Sequence, residues 1–138
     1  VTSNGNAGDG VHLEQLSVMT IFNNPLFSGS NATTLLVTRG NQGDGVNLLT
    51  GSEMLVDNYA SLLSTGNAKT GLALDDGSSI SFGQTIPVSG VQSKIAGNLI
   101  DTTLYFGSRL TALPNDTFGT FACDKTVLVR GTNAILCP

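Results

Sequence analysis

Short runs of β-branched and aromatic residues alternate with turn signals along the whole chain. The clearest runs are residues 33–38 and 102–106, and Asp75, Asp76 and Gly77 separate two more runs in the pattern of a β-hairpin. Turn signals recur about every 8–12 residues, which is typical of β-sandwiches and barrels. The 138 residues suit one domain. The sequence therefore predicts an all-β domain, either an antiparallel β-sandwich or a jelly-roll or barrel-like fold.

One segment, residues 52–64, is compatible with a short helix. Ser52 can cap its amino end, Glu53 suits the first turn, and Gly66 follows the last turn. The same segment is also compatible with a strand that begins near Met54. We expect at most one helix in the chain, and we place it at residues 52–64.

The first ten residues are rich in glycine, asparagine and aspartate. This composition predicts an extended leader at residues 1–10, followed by a single β-domain at residues 11–138. Apolar residues occupy both faces of residues 11–22, so we expect one long strand that is buried on both sides. The leader is expected to pack on its own domain or to be held by another subunit.

Two short patterns occur twice in the chain. Asn-x-Gly-Asp-Gly-Val-x-Leu spans residues 6–13 and again residues 41–48, and residues 35–41 resemble residues 127–133. Two copies do not indicate a solenoid, which stacks at least three repeats. We interpret each pair as the same turn sequence used twice.

The two cysteines, Cys123 and Cys137, lie in the last part of the chain, where residues 118–138 read as short strands and turns. A disulfide between them would close a loop of about 15 residues and contribute about 3 kcal/mol in the chain-entropy model. The alternative is two unpaired buried thiols. We predict the disulfide, and with it an oxidising compartment.

Charged residues make up only 12% of the chain, and the formal net charge is −4. The few basic residues are scattered, whereas nucleic-acid binding and anionic membrane surfaces need a clustered basic face. No apolar run approaches the roughly 18 residues that span a bilayer. A weakly charged surface of Ser, Thr, Asn and Gly is typical of secreted surface proteins, so we expect an extracellular or cell-surface location.

The sequence lacks a familiar catalytic arrangement. His12 is the only histidine, and its place at the start of a strand favours a structural role. Asp75 and Asp76 could form a pair of catalytic carboxylates, but their position before Gly77 favours a turn. We predict that the protein is not an enzyme, and a small secreted hydrolase that uses these residues is the remaining catalytic alternative.

Calcium is the one cofactor that the sequence leaves open. Asn6, Asp9, Asn41 and Asp44 supply hard oxygen ligands in two glycine-rich turns. The alternative is that these side chains only form Asx turns. No other cofactor is expected.

Two sequons could carry N-linked glycans. They place the acceptor at Asn31 and at Asn115. Their number does not exceed what composition alone would give, so glycosylation at either site is a candidate modification.

The favoured function is that of a non-enzymatic secreted structural protein. We expect a pilus-like filament or a cell-surface layer of identical subunits, in which residues 11–22 are donated as a strand to a neighbouring subunit. The alternative function is a monomeric secreted binding module, such as a lectin, an adhesin or an effector, with carbohydrate or a host surface as its partner.

Overall fold

The computed structural model describes residues 1–22, 34–57, 60–83, 92–131 and 137. The regular elements in these residues are β-strands, arranged in five successive coils of the chain. The first coil contains β1 (Thr2–Asn4), β2 (Val11–Leu13) and β3 (Val18–Phe22). The second contains β4 (Thr34–Arg39), β5 (Val46–Leu48) and β6 (Glu53–Asp57). The third contains β7 (Ala60–Thr65), β8 (Thr70–Leu74) and β9 (Ser79–Gly83).

Two further coils follow in the described residues. The fourth coil contains β10 (Lys94–Ile95), β11 (Ile100–Leu104) and β12 (Arg109–Thr111). The fifth contains β13 (Phe121–Cys123) and β14 (Leu128–Arg130).

Three parallel sheets run along the stack. Sheet A has the order β1-β4-β7-β10, sheet B has β13-β11-β8-β5-β2, and sheet C has β14-β12-β9-β6-β3. All the strand pairs are parallel, and each joins equivalent strands of adjacent coils. The chain therefore winds as a parallel β-helix.

The predicted antiparallel sandwich or jelly-roll is wrong, because no two strands that follow each other in the described part of the chain pair with each other. Short strands separated by turn signals look the same whether the chain reverses or turns a corner into a new sheet. The difference lies in the long-range pairing, which the spacing of turns does not specify.

A repeated sequence pattern underlies the coils. In the first three coils it reads Asn-x3-Gly, then apolar-x-apolar on sheet B, then x3-Ser, then x-apolar-x-apolar on sheet C. Its copies begin at Asn6, Asn41 and Asn67, and a modified copy begins at Asn98, one residue shorter and without the glycine. The interpretation of the two matching segments as one turn used twice is wrong, since residues 6–13 and 41–48 are equivalent parts of adjacent coils.

We call the connection from sheet A to sheet B the asparagine corner. The glycine of the pattern is required there, because adjacent coils approach closely at this point. A Cβ at Gly45 would lie 2.6 Å from the carbonyl oxygen of Gly71, and a Cβ at Gly71 would lie 2.7 Å from that of Asp101. Glycine is the residue that permits such an approach of two backbones.

We call the connection from sheet B to sheet C the serine corner. Its two central residues have positive φ in four coils, for example 50° at Asp76 and 73° at Gly77. Ser78 N then donates to Asp75 O at 3.1 Å, which closes a tight turn. The turn predicted at Asp75–Gly77 is thus present, but the expected hairpin is wrong, because β8 and β9 belong to different sheets.

The predicted helix at residues 52–64 is also wrong, since this segment forms β6 and most of β7. Met54 and Val56 are buried while Glu53 is exposed, which is a period of two. β6 is paired on both sides, with β3 and with β9, and this tertiary pairing overrides the local preference for a helix.

The predicted single strand at residues 11–22 is two strands, β2 and β3. Gln15 and Leu16 have φ of 59° and 62°, so the chain turns between the strands. The predicted leader at residues 1–10 contains β1, which pairs with β4 of the same chain. The domain boundary at residue 10 stays a prediction.

Apolar side chains fill the interior of the coils. This core contributes most of the stability expected from hydrophobic burial, and its members alternate with outward-facing residues along each strand. The buried apolar residues are Ile21, Leu36, Val46, Leu48, Met54, Val56, Ala60, Leu62, Leu72, Leu74, Ile80, Phe82, Ile95, Leu104, Leu110 and Phe118.

The connections from sheet C back to sheet A differ in length from coil to coil. Equivalent asparagines are separated by 35, 26 and 31 residues in successive steps. The last step is shorter, with 19 residues between the paired residues Asp101 and Thr120. The repeat therefore has no constant period, which hides it from a search for regular spacing.

Candidate functional site: the open edge of the first coil

A ladder of asparagine side chains joins the coils along the asparagine corner. Asn41 Oδ1 accepts hydrogen bonds from Asn6 N at 3.0 Å and Asn6 Nδ2 at 2.9 Å. Asn67 Oδ1 accepts the same two bonds from Asn41, at 3.1 and 2.9 Å. Asn98 Oδ1 accepts them from Asn67, at 3.0 and 2.9 Å. Each coil thus donates two hydrogen bonds to one carbonyl oxygen of the next.

The ladder ends at Asp101 in the fourth coil. Asp101 Oδ1 accepts from Asn98 N at 2.9 Å, and Oδ2 accepts from Thr120 N at 2.8 Å. Burial acts to raise the pKa of Asp101, but the hydrogen bonds from Thr120 and Asn98 outweigh it and the pKa is lowered. A carboxylate has no N–H to donate, so it terminates a series in which every member donates forward.

The other end of the ladder lies at the first coil. Asn6 is exposed, whereas Asn41 and Asn67 are only 1% and 3% exposed. Asn6 Oδ1 has no hydrogen-bond partner among the described residues, although the equivalent oxygen of every later asparagine has two. The series of hydrogen bonds is therefore open at this end of the stack.

Two aspartates support the same corner. Asp9 Oδ1 accepts from Asp44 N at 2.7 Å, and Asp44 Oδ1 accepts from Thr70 N at 2.7 Å. Asp9 Oδ2 also accepts from Asn47 Nδ2 at 3.0 Å. Burial acts to raise the pKa of Asp9, but the hydrogen bonds of Asn47, Asp44 and His12 together lower it. Each carboxylate caps a backbone amide of the next coil.

The structure brings the predicted calcium residues together in two pairs. Asn6 bonds to Asn41, and Asp9 bonds to the backbone of Asp44. Several of their oxygen atoms already accept hydrogen bonds from the protein, and no group of three or more His, Cys, Asp or Glu side chains within the described ranges is placed to hold a metal. Calcium binding at these residues stays a prediction.

His12 lies on the outer face of β2, close to two carboxylates. Nδ1 is 2.9 Å from Asp9 Oδ2, and Nε2 is 3.5 Å from Glu14 Oε2. The hydrogen bond to Asp9 is the largest of the effects that raise the pKa of His12. The side chain is 44% exposed. This cluster is an open surface arrangement, and the hydrogen bonds around it account for its geometry without a substrate.

Asp75 and Asp76 lie at the serine corner of the third coil, far along the chain from His12. Asp75 Oδ1 accepts from Asp76 N at 2.8 Å, which is a local turn contact. The structure gives no hydrogen bond or ion pair between either aspartate and His12 in the residues that it describes. A hydrolase that uses His12, Asp75 and Asp76 stays a prediction, and no such contact in the described residues joins the two aspartates to His12.

The predicted disulfide is confirmed. Cys123 and Cys137 are bonded, with their Cα atoms 5.4 Å apart and 14 residues apart in sequence. The bond ties residue 137 to the end of β13 in the last coil. Among the sequons, Asn31 lies outside the described residues, and Asn115 is exposed in the turn after β12. Glycosylation at both positions stays a prediction.

The first coil differs from the others in what it leaves uncovered. Among the described residues, β1, β2 and β3 each lie at the edge of a sheet and pair on one side only. Leu16, Val18 and Phe22 are exposed by 76%, 69% and 60%. Apolar side chains in the interior of this coil are only partly buried, in contrast to the closed interior of the central coils: Val11, Leu13 and Met19.

Sequence reasoning missed this edge because it treated residues 11–22 as one strand. The signal that could have found it is the third copy of the pattern, Asn67-x3-Gly71 followed by apolar-x-apolar. Three stacked copies indicate coils, and they place β2 and β3 on different sheets of the first coil.

No protein-family model, curated protein or solved structure matches this chain. None of the described residues forms a helix that is long and apolar enough to cross a membrane. The function must therefore be inferred from the geometry of the chain itself.

Proposed function

We propose that this protein is a non-enzymatic extracellular structural protein that self-associates through the open edge of its first coil. The observation that carries the proposal is one coil whose three strands each have an edge without a pairing partner among the described residues, together with exposed apolar side chains. Unpaired edges offer backbone donors and acceptors to another strand, and most proteins protect them. The disulfide supports an oxidising compartment.

The partner in this proposal is a second copy of the chain. β3 is the longest of the three edge strands. If two copies of β3 pair antiparallel about a two-fold axis at Thr20, Val18 lies opposite Phe22 of the second copy. Met19 then lies opposite Ile21 on the interior face. Aromatic and β-branched residues form favourable cross-strand pairs, so this edge is complementary to itself.

The energetics agree with association but not with very tight binding. Complete burial of a large apolar side chain contributes about 1.5–3 kcal/mol, and the two-fold contact covers part of this surface on Val18 and Phe22 of each copy. Covering Val11, Leu13 and Met19 adds further burial. The loss of rotational and translational freedom costs about 4–15 kcal/mol, which offsets much of this gain.

This contact differs from the strand donation that the sequence favours. The strands within residues 1–22 pair with β4, β5 and β6 of the same chain, so donation of these residues to a neighbour would first have to break these pairings. A two-fold contact closes on itself and yields dimers. A filament or layer needs a second contact, and β13 and β14 are the edge strands at the opposite end of sheets B and C.

The test is to measure the mass of the protein in solution by sedimentation velocity over a wide range of concentration. We expect a concentration-dependent dimer or larger species in the native protein. Phe22→Lys and Val18→Lys should both shift it toward the 14.2 kDa monomer, because each variant places a lysine opposite an apolar side chain at both ends of the two-fold contact.

The matched control is Leu99→Lys. Leu99 is 76% exposed in the fourth coil, away from the first-coil edge. It should leave the association unchanged. A native protein that is monomeric at all concentrations would contradict the proposal, and so would a control variant that dissociates as fully as Phe22→Lys.

A further inference from the structure

A groove lies on the outer face of sheet C, along strands β6, β9, β12 and β14. Its volume is about 250 Å³. The small residues Ser79 and Ser81 of β9 form its floor, and longer side chains stand on the neighbouring strands. The lining residues are Glu53, Ser79, Ile80, Ser81, Arg109, Thr111, Leu128 and Arg130.

The register of the strands explains the shape of the groove. Ser79 lies between Glu53 on β6 and Arg109 on β12. Strands are spaced by about 4.8 Å, so the backbones that carry Glu53 and Arg109 are about 10 Å apart. Because the side chains of Ser79 and Ser81 are short, the space between Glu53 and Arg109 is not filled. The groove is open to solvent on its outer side.

Two arginines, Arg109 and Arg130, line the side of the groove formed by β12 and β14. Arg109 is paired in register with Leu128, and Thr111 with Arg130, so the arginines lie diagonally on adjacent strands. The strand spacing and a two-residue rise place their Cα atoms about 8 Å apart. Neither guanidinium has an ion-pair or hydrogen-bond partner among the described residues.

These arginines are two of only six basic residues in a chain with a net charge of −4. A guanidinium offers paired N–H donors that match a carboxylate. The hydroxyls of Ser79, Ser81 and Thr111 both donate and accept hydrogen bonds, and the Glu53 carboxylate accepts them. The groove therefore combines one anion-binding side with a row of groups that suit hydroxyls.

We propose that this groove binds a carboxylate-bearing sugar, with the carboxylate held by Arg109 and Arg130 and the ring hydroxyls by Ser79, Ser81 and Thr111. The exposed side of Leu128 offers an apolar contact to the C–H groups of the ring. The volume is below the roughly 300–1,000 Å³ of pockets for drug-sized ligands, which suits a single sugar unit. This proposal does not rest on self-association.

The same unit could be a free monosaccharide or part of an acidic polysaccharide. The experiment uses glucuronic acid, a trisaccharide of glucuronic acid, and glucose, which has the same ring without the carboxylate. Binding is followed by the shifts of backbone amide signals in NMR spectra of the ¹⁵N-labelled protein. We expect glucuronic acid to shift the signals of Ser79, Ser81 and Thr111, and glucose to bind at least about tenfold more weakly.

Two variants and one control test the residues. Arg109→Gln and Arg130→Gln should each weaken the binding of glucuronic acid by about tenfold or more. Arg39→Gln, an exposed arginine on sheet A, should not change it. The amide spectra also verify that each variant is folded. Tighter binding of the trisaccharide would identify a polysaccharide as the source.

Three outcomes would overturn the proposal. Glucuronic acid could leave the signals of the groove unchanged, or Arg39→Gln could weaken binding as much as Arg109→Gln. Acetate or alanine could also bind as tightly as glucuronic acid, which would show that the groove recognises a carboxylate or a zwitterion without the sugar ring. Dimerisation is measured separately, so neither result decides the other.

Discussion

The asparagine corner keeps its length in three coils, whereas the connection from sheet C to sheet A changes length from coil to coil. The corner takes the same four-residue step from asparagine to glycine in three coils and carries the asparagine ladder. The other connection differs in every coil, so that successive asparagines are 35, 26 and 31 residues apart. The corner sets the register of the stack, and the variable connection absorbs changes in chain length without disturbing it.

The largest expected effect comes from changing the length of the corner. A single glycine inserted between Ala68 and Lys69 would force either the ladder or β8 out of register. A one-residue slip of β8 turns Leu72 and Leu74 away from the core. We expect a loss of at least about 4 kcal/mol in the free energy of unfolding, measured by urea denaturation.

The matched control places the same glycine in the connection between β9 and β10, after Gln84. We expect a change within about 0.5 kcal/mol there, because loop-closure entropy rises only slowly with length. If both insertions destabilise the protein equally, the corner does not set the register.

The next largest loss in the free energy of unfolding is expected when one asparagine of the ladder is removed. Asn67→Ala removes the side-chain oxygen that accepts from Asn41 N and Asn41 Nδ2 in a buried corner, and it removes one of the two donors to Asn98 Oδ1. Each unsatisfied buried group costs about 1–3 kcal/mol, so we expect a loss of about 3 kcal/mol or more.

Asn6→Ala is the comparison within the same ladder. Asn6 is exposed, so water can replace its bonds to Asn41, and we expect a loss below about 1 kcal/mol in the same urea experiment. Equal losses in the two variants would mean that burial of the ladder is not what makes it stabilising.

A smaller effect is expected at the serine corner of the fourth coil. Phe106 has a φ of 51° and is 69% exposed, so a bulky side chain occupies a left-handed conformation with little burial in return. Phe106→Asn should stabilise the protein by about 0.5–1 kcal/mol, because asparagine adopts this conformation more readily. Phe106→Leu, which keeps the strain, should give no gain in thermal unfolding measurements.

The smallest effect concerns pH at the outer end of the asparagine corner. The pKa of His12 is raised in the folded protein by its hydrogen bond to Asp9. The stabilisation from protonated His12 is therefore complete below the unfolded pKa of about 6.5 and is lost as pH rises through the folded pKa.

His12 is 44% exposed, so solvent screening limits this contribution to less than about 0.5 kcal/mol. The free energy of unfolding at pH 5.5 minus that at pH 8 should be smaller in His12→Gln than in the native protein. An unchanged difference between the two pH values would show that the His12–Asp9 contact does not stabilise the fold.

Local signals in the sequence predicted several parts of this structure. The disulfide between Cys123 and Cys137 followed from the cysteine count and spacing, and the turn at Asp75–Gly77 followed from its Asp-Gly sequence. Both depend on residues that are close in sequence. The pairing of the strands was predicted wrongly, because the partner of β5 lies 26 residues away on β8 and 35 residues away on β2.

The candidate sites also contain residues that local sequence could identify and contacts that it could not. Asn6, Asp9, Asn41 and Asp44 were recognised as a set of oxygen-bearing side chains, but their sequence did not show that they join adjacent coils. The groove on sheet C was not foreseen, since Glu53, Ser79 and Arg109 share no local pattern. They become neighbours only when coils with different connection lengths come into register.

The sequence by itself determined the β-strands of most coils, the tight turn at Asp75–Gly77 and the disulfide, because each depends on the conformational preferences of residues that are close in sequence. The tertiary structure decided that the strands are parallel, that residues 52–64 form strands, and which side chains share the asparagine ladder and the groove. The physical reason is that β-pairing is a long-range interaction: a strand is stabilised by hydrogen bonds to the next coil, and the intervening connection can change length at little cost.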